Sequence, residues 1–172
     1  MPKILERPRE GILEAAEQEL TNKGVVGFNI RDVAALSGVA IGTIYNYYGN
    51  KFSLINSVLS SLWAKGLAKA VSVIKPGDPV GAVLALYDAV NHFEETERES
   101  IDAIRAAGNF FGDEAYENEL LRRELANAIA PSLGDNVFRP AELILAELVL
   151  FAAIERKISV EDLKKATTKI FA

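Results

Sequence analysis

Cysteine is absent from the 172 residues, and histidine, methionine and tryptophan occur once each. Disulfides and thiolate chemistry are therefore excluded, and a reducing cytoplasm fits better than a secreted setting. With His92 as the single histidine, a zinc site lacks ligands, and the surrounding "HFEETERES" does not have HExxH spacing. Its carboxylates read as a solvated helix face rather than an acid/base pair. No GxGxxG or Walker pattern is present, so a nucleotide-binding fold has no support and no cofactor is expected. Long apolar runs are missing as well. The stretch Leu143 to Ile154 is interrupted by Glu147 and falls short of the roughly 20 residues of a membrane span. The opening "MPKILERPRE" has scattered charges and no apolar core, unlike a signal peptide.

Net charge is −5, which at first argues against nucleic acid. Its distribution changes the argument. Residues 1–53 hold six basic and six acidic side chains and balance, so the remainder carries the whole excess. The length suits one domain, or two small lobes sharing a core.

Helical periodicity runs through the chain, and no alternating stretch is long enough for a strand. The expected class is all-α. A first helix is expected from Pro8 to Asn22, with Ile12, Leu13, Ala16 and Leu20 on one stripe and Gly24 just past its end. A second starts at the cap candidate Asn29, with Asp32 three residues on, and turns Val33, Ala34 and Leu36 inward. Gly38 permits the positive φ of a tight turn, and a third helix follows from Ile41 to Tyr47. Two short helices joined by a glycine-containing turn form a helix-turn-helix. Beyond Asn50 a long helix reaches Ile74, and "KPGDP" ends it. Further helices are expected over 80–96, 98–107, 114–130, 140–157 and 160–170, the last capped by Ser159. There is no solenoid repeat or low-complexity tract. The chain divides near residue 50 into a helix-turn-helix head, 1–50, and a helical body, 51–172.

Between Ile12 and Leu59 the segments "ILEAAEQEL", "KG", "FNIRDVAALSGVAIGTIYNYYGNK" and "FSLINSVL" resemble the TetR-type transcriptional repressors of bacteria. Helix 1, both glycine turns, the tyrosine cluster and Lys51 agree in spacing together. Beyond Leu59 the likeness rests on length and helicity. Four positions depart from the family pattern: Ala40 replaces a capping Ser or Thr, Ile41 a polar residue, Phe52 an acidic one and Glu19 an apolar one. A lost cap costs about 1 kcal/mol of local helix stability.

The resemblance implies a homodimeric, ligand-responsive regulator, a repressor that binds a palindromic operator and is released by a small-molecule effector. By that resemblance Gly42 permits close backbone approach to DNA, Thr43 reaches a base edge or phosphate, and Tyr45 and Asn46 face the groove. Tyr47 clamps a phosphate, Lys51 adds charge at a helix N-terminus, and Arg31 is placed to contact bases. Lys3, Arg7 and Arg9 form a basic arm. Tyr48 is read as core. Ile41 stays open between a thymine methyl and burial against a partner.

In the body, the helix from Pro140 is apolar over most of its circumference, which implies burial on more than one side. The family's two-fold four-helix bundle would take Leu145, Leu148, Val149, Ala152, Leu163 and Ile170, whereas a monomer would use them as core. An effector site would draw on Trp63, Tyr87, Asn91, Phe110, Phe111, Tyr116 and Leu121. An architectural or cell-division DNA-binding protein of the same fold without a ligand is the alternative. A small helical enzyme has no catalytic residues to offer.

Overall fold

The computed structural model describes residues 8–108, 114–134 and 140–171, with backbone alone for 114–118. The described residues are helical throughout their regular structure: α1 (Pro8–Gly27), α2 (Ile30–Ser37), α3 (Ile41–Tyr48), α4 (Lys51–Val73), α5 (Pro79–Ala106), α6 (Glu114–Ile129), a short 3-10 turn (Ala130–Ser132), α7 (Ala141–Ala153) and α8 (Val160–Phe171). The described parts of Met1–Leu62 and Glu97–Phe111 form one compact unit, and those of Trp63–Thr96 and Gly112–Ala172 form another. The helices α4 and α5 are continuous and contribute to both.

In the first unit the i, i+3, i+4 logic of α1 buries Ile12, Ala15, Ala16 and Leu20. The helix kinks at Gly24, whose backbone (φ 64°, ψ 178°) leaves the helical region where an end was expected. On α2, Ile30, Val33 and Ala34 are buried. Leu36 does not face inward as the periodicity suggested: it is 51% exposed, because eight residues are too few for a second buried row. The first half of α4 completes this core with Leu54, Ile55, Val58 and Leu59.

The second unit packs α6 against α7 and α7 against α8 around Val83, Leu86, Leu125, Ile129, Leu145, Val149 and Leu163. Two helices expected over 80–96 and 98–107 are one, α5. Glu97 and Arg98 are both good helix formers, and the first strong breaker is Gly108 at φ 64°. Asp78 caps this helix, its Oδ1 accepting from Gly81 N at 2.8 Å. Ser159 caps α8 reciprocally with Asp162: the Asp162 N–H donates to Ser159 Oγ at 3.1 Å and Ser159 Oγ donates to Asp162 Oδ2 at 2.6 Å. Those bonds hold the Asp162 carboxyl below its ordinary value. Between the facing helices Arg122 donates to Glu147 at 2.6 Å and to Glu119 at 2.8 Å, tying α6 to α7.

The helix α7 stops at Ala153, earlier than expected, because the chain closes there through Arg156 at φ 52°. The Lys157 N–H reaches back to Phe151 O at 2.9 Å, which folds the chain over the end of the helix. A left-handed residue with a side chain costs roughly 1–2 kcal/mol. Against this stands only an exposed pair, Arg156 to Glu95 at 3.4 Å. Arg156→Gly is therefore expected to stabilise the chain by about 1 kcal/mol, a rise of roughly 2–4 °C in thermal unfolding midpoint by calorimetry. An unchanged or lower midpoint would mean that the Glu95 pair outweighs the backbone strain.

Candidate nucleic-acid interface

Three local devices set the geometry of the head. Asn29 adopts an extended backbone and its Oδ1 accepts from Arg31 N at 2.9 Å, which starts α2. Asp32, three residues on, does not close a capping box; its carboxylate is held instead by Lys23 at 2.8 Å. Gly38 sits at φ 70°, ψ 17°, and its N–H donates to Ala34 O at 3.0 Å, so the chain reverses in the left-handed conformation that only glycine enters cheaply.

The helix α3 then starts at Ala40 without a side-chain cap, as its sequence requires. Ile44 and Tyr48 form its buried side, i and i+4, at 1% and 8% exposure. The Tyr48 hydroxyl donates to Arg9 O at 3.0 Å, and burial pushes its phenol above the ordinary value. Tyr45 and Tyr47 project from the other side at 47% and 49% exposure, and Ile41, Gly42 and Asn46 are exposed with them. Thr43 is half-buried, and Arg31 on the first turn of α2 is exposed.

Gly42 is helical, and a Cβ built there meets nothing within 4 Å. The fold itself does not need a glycine at that position.

Lys51 begins α4 half-buried. Its ammonium donates to Val25 O at 3.0 Å and lies 5.8 Å from the Phe28 ring centroid. It therefore ties the start of α4 to the connection between α1 and α2, with two donor positions left over. That anchoring role was not visible in sequence, because it depends on a carbonyl 26 residues away.

A further feature is Glu19, buried at 3% exposure in a place where the likeness to known repressors expects an apolar residue. Lys23 Nζ lies 2.9 Å from Glu19 Oε1, a charge contact that is not aligned as a hydrogen bond, and 2.8 Å from Asp32 Oδ2. The bond to Asp32 raises the Lys23 ammonium above its ordinary value and lowers the Asp32 carboxyl. The three side chains link α1 to α2 electrostatically.

Residues 12–58, the segment that builds this head, match the family described as bacterial regulatory proteins, tetR family. The head is a TetR-family helix-turn-helix domain, of the kind found in bacterial regulatory proteins. A helix-turn-helix transcriptional repressor of Mycobacterium tuberculosis is 28% identical over 177 residues, covering 94% of this chain and 89% of that protein. The regulator TtgR of Pseudomonas putida is 36% identical over 80 residues, 45% of this chain and 38% of its own. Among solved structures, the multidrug binding protein EbrR covers 96% of this chain and 90% of its own at a TM-score of 0.59 and 17% identity. A TetR regulator from Rhodococcus sp. RHA1 reaches 0.55 at 18%, covering 95% of this chain and 92% of its own. These structures share the fold: an N-terminal helix-turn-helix followed by a helical domain.

That domain makes the chain a DNA-binding regulator of a non-enzymatic family. Among the described residues no helix is long and apolar enough to cross a membrane, and no three His, Cys, Asp or Glu side chains gather as a metal site.

Of the effector candidates in the second unit, Trp63, Tyr87, Asn91 and Leu121 are half-buried. Trp63, Tyr87 and Leu121 pack at the edge of its core. Phe110, Phe111 and the Tyr116 side chain lie outside the described residues. Sequence reading missed Glu124, whose Oε2 accepts from Trp63 Nε1 at 2.7 Å, and Phe93, whose ring meets Trp63 edge-on at 5.6 Å.

Of the six residues assigned to a dimer face, Leu145, Val149, Ala152 and Leu163 are enclosed in the chain's own core, at 5% exposure or less. They are internal packing: the helix was long enough to carry two apolar faces, and periodicity did not say which face meets the rest of the chain. Leu148 and Ile170 are half-buried.

Proposed function

We propose that the regulator is a homodimeric repressor that acts in the cytoplasm, binds a palindromic operator with one head per half-site, and is released by a small organic effector. The observation that carries this reading is the two-sided character of α3. Ile44 and Tyr48 fix it to the head, while Ile41, Gly42, Tyr45, Asn46 and Tyr47 are presented outward with no structural need for exposed aromatic rings. A recognition helix lies with such a face in the major groove, its flanking groups on phosphates.

For dimerisation, the stripe Ile144, Leu148 and Phe151 at i, i+4 and i+7 is incompletely covered by one chain: Ile144 is 42% exposed and the other two are half-buried. A second copy supplies the missing cover. For sensing, the group around Trp63, Phe93 and Glu124 joins two aromatic rings to a carboxylate at the edge of the second core. EbrR, of the same fold, is a multidrug binding protein solved with ethidium, a small organic molecule of the class meant here. Because α4 contributes residues to both units, an effector that shifts its second half alters the spacing of two heads that must match major grooves about 34 Å apart.

Selection of bound sequences from a random duplex pool, followed by salt titration, tests the reading. An inverted repeat is expected, with affinity falling steeply as salt rises. Tyr47→Ala, at an exposed position, should weaken binding to all duplexes alike while helicity and dimer persist. No enrichment from a folded dimer would refute the reading.

A further inference from the structure

The set of side chains that α3 presents is unusual in what it omits. From Ala40 to Asn50 there is no charged residue. Guanine is read in the major groove by the fork of arginine or by lysine, and the cytosine amino group by a carboxylate. The helix therefore holds neither of the charged side-chain types that mark a G·C pair, and Thr43, half-buried, can serve either pair. It does hold asparagine, which pairs in bidentate fashion with the adenine N6/N7 edge, and an aliphatic side chain suited to the thymine C5-methyl. Both are outward: Asn46 is exposed, and Ile41 is 39% exposed at the first residue of the helix.

The surroundings of Ile41 reinforce the point. Its neighbours are the small Ala40 and the bare Gly42, where an added Cβ would find open space. Ile41 is thus the one exposed large apolar group of that first turn, flanked in sequence by small residues. Leaving it in water gains the free chain nothing, whereas a methyl group in the groove would bury it.

We propose that α3 reads A·T pairs at the core of each half-site, with Ile41 against a thymine methyl and Asn46 on an adenine edge. This rests on the DNA-binding reading above and assigns the base class that reading leaves open. Guanine contacts, where the operator has them, come from outside α3, from Arg31 on α2.

The test uses the full chain and the duplex recovered by selection, with thymines replaced singly by uracil and adenines by 7-deazaadenine. Loss of one buried methyl should weaken binding about fourfold per substituted half-site. Ile41→Ala should erase the thymine-over-uracil difference while the salt dependence stays as it was. Asn46→Ala should likewise erase the penalty of 7-deazaadenine. In a companion duplex with cytosine in place of the contacted thymine, 5-methylcytosine separates a pure methyl contact, which recovers affinity, from recognition of the whole A·T pair, which does not. Recovery by the methyl supports the Ile41 contact, and no recovery would overturn it as a contact to the methyl group. A selected operator with G·C pairs at the core, equal binding of uracil and thymine duplexes, or discrimination that survives Ile41→Ala would each overturn the proposal while leaving the regulator reading intact. Ile41→Ala that changes the oligomeric state and not base preference would assign the residue to a protein contact instead. No enriched sequence would overturn both readings.

Discussion

Replacing Gly42 with alanine is expected to move two properties in opposite directions: the protein becomes more stable and its operator affinity falls by about fivefold or more. The stability half follows from the backbone. Gly42 is helical, does not adopt a positive φ, and an added Cβ has no neighbour within 4 Å. Alanine in a helix is preferred over glycine by up to about 1 kcal/mol, which for a chain of this length raises the unfolding midpoint by roughly 2–4 °C. The affinity half follows from where the space lies. If the open space beside Gly42 is filled by DNA in the complex, a methyl group overpacks a close contact at a cost of about 1–3 kcal/mol, or roughly five- to 150-fold.

Gly66 supplies the control. It too lies in a helix with no neighbour for a Cβ, but on the part of α4 that belongs to the second unit, so Gly66→Ala should raise stability and leave affinity alone. Calorimetry and fluorescence anisotropy on the selected duplex measure both quantities. An affinity unchanged by Gly42→Ala would show that α3 docks with another edge in the groove, and the contacts assigned to Tyr45 and Asn46 would go with it.

How far the sequence carried these conclusions varies along the chain for physical reasons. The head was legible because its turns are fixed locally: Gly38 and Gly49 at positive φ, and Asn29 and Asn50 as caps, act within a few residues of themselves. Ala40 was read as a missing cap, and the helix does start without one. Leu36 was misread because a short helix gives periodicity too few turns to define a face. Lys51 and Glu19 were identified as notable, but their partners, Val25 O for the first and the Lys23 and Asp32 pair for the second, depend on how helices meet. In the body the limit was the reverse. The helix α7 is apolar nearly all round, so hydrophobicity could not separate the face that packs on α6 from the face left over. Glu124 was missed because its chemistry appears only when α4 brings Trp63 to it, 61 residues away in sequence.

That ambiguity in α7 yields the second prediction of large effect. Leu145 is 1% exposed within one chain, and Leu148, three residues on, is half-buried beside the exposed Ile144. Glutamate at Leu145 would bury an unpaired carboxylate and leave a void, mechanisms whose combined cost of about 4 kcal/mol or more is a large part of the roughly 5–15 kcal/mol that holds a domain folded. Leu145→Glu should therefore lose helicity and cooperative unfolding. Leu148→Glu can turn its charge to water in a single chain but not against a second copy, so it should keep its helicity and become monomeric by sedimentation.

Operator affinity of that monomer should fall by a hundredfold or more, since the second head no longer binds as a tethered partner. The pair of variants separates the internal face of α7 from the external one, which neither alone can do. A Leu148→Glu protein that stays dimeric with full affinity would move the interface off the Ile144, Leu148 and Phe151 stripe. A Leu145→Glu protein that folds normally would mean that α7 packs the other way round, with Leu145 rather than Leu148 turned toward the partner copy.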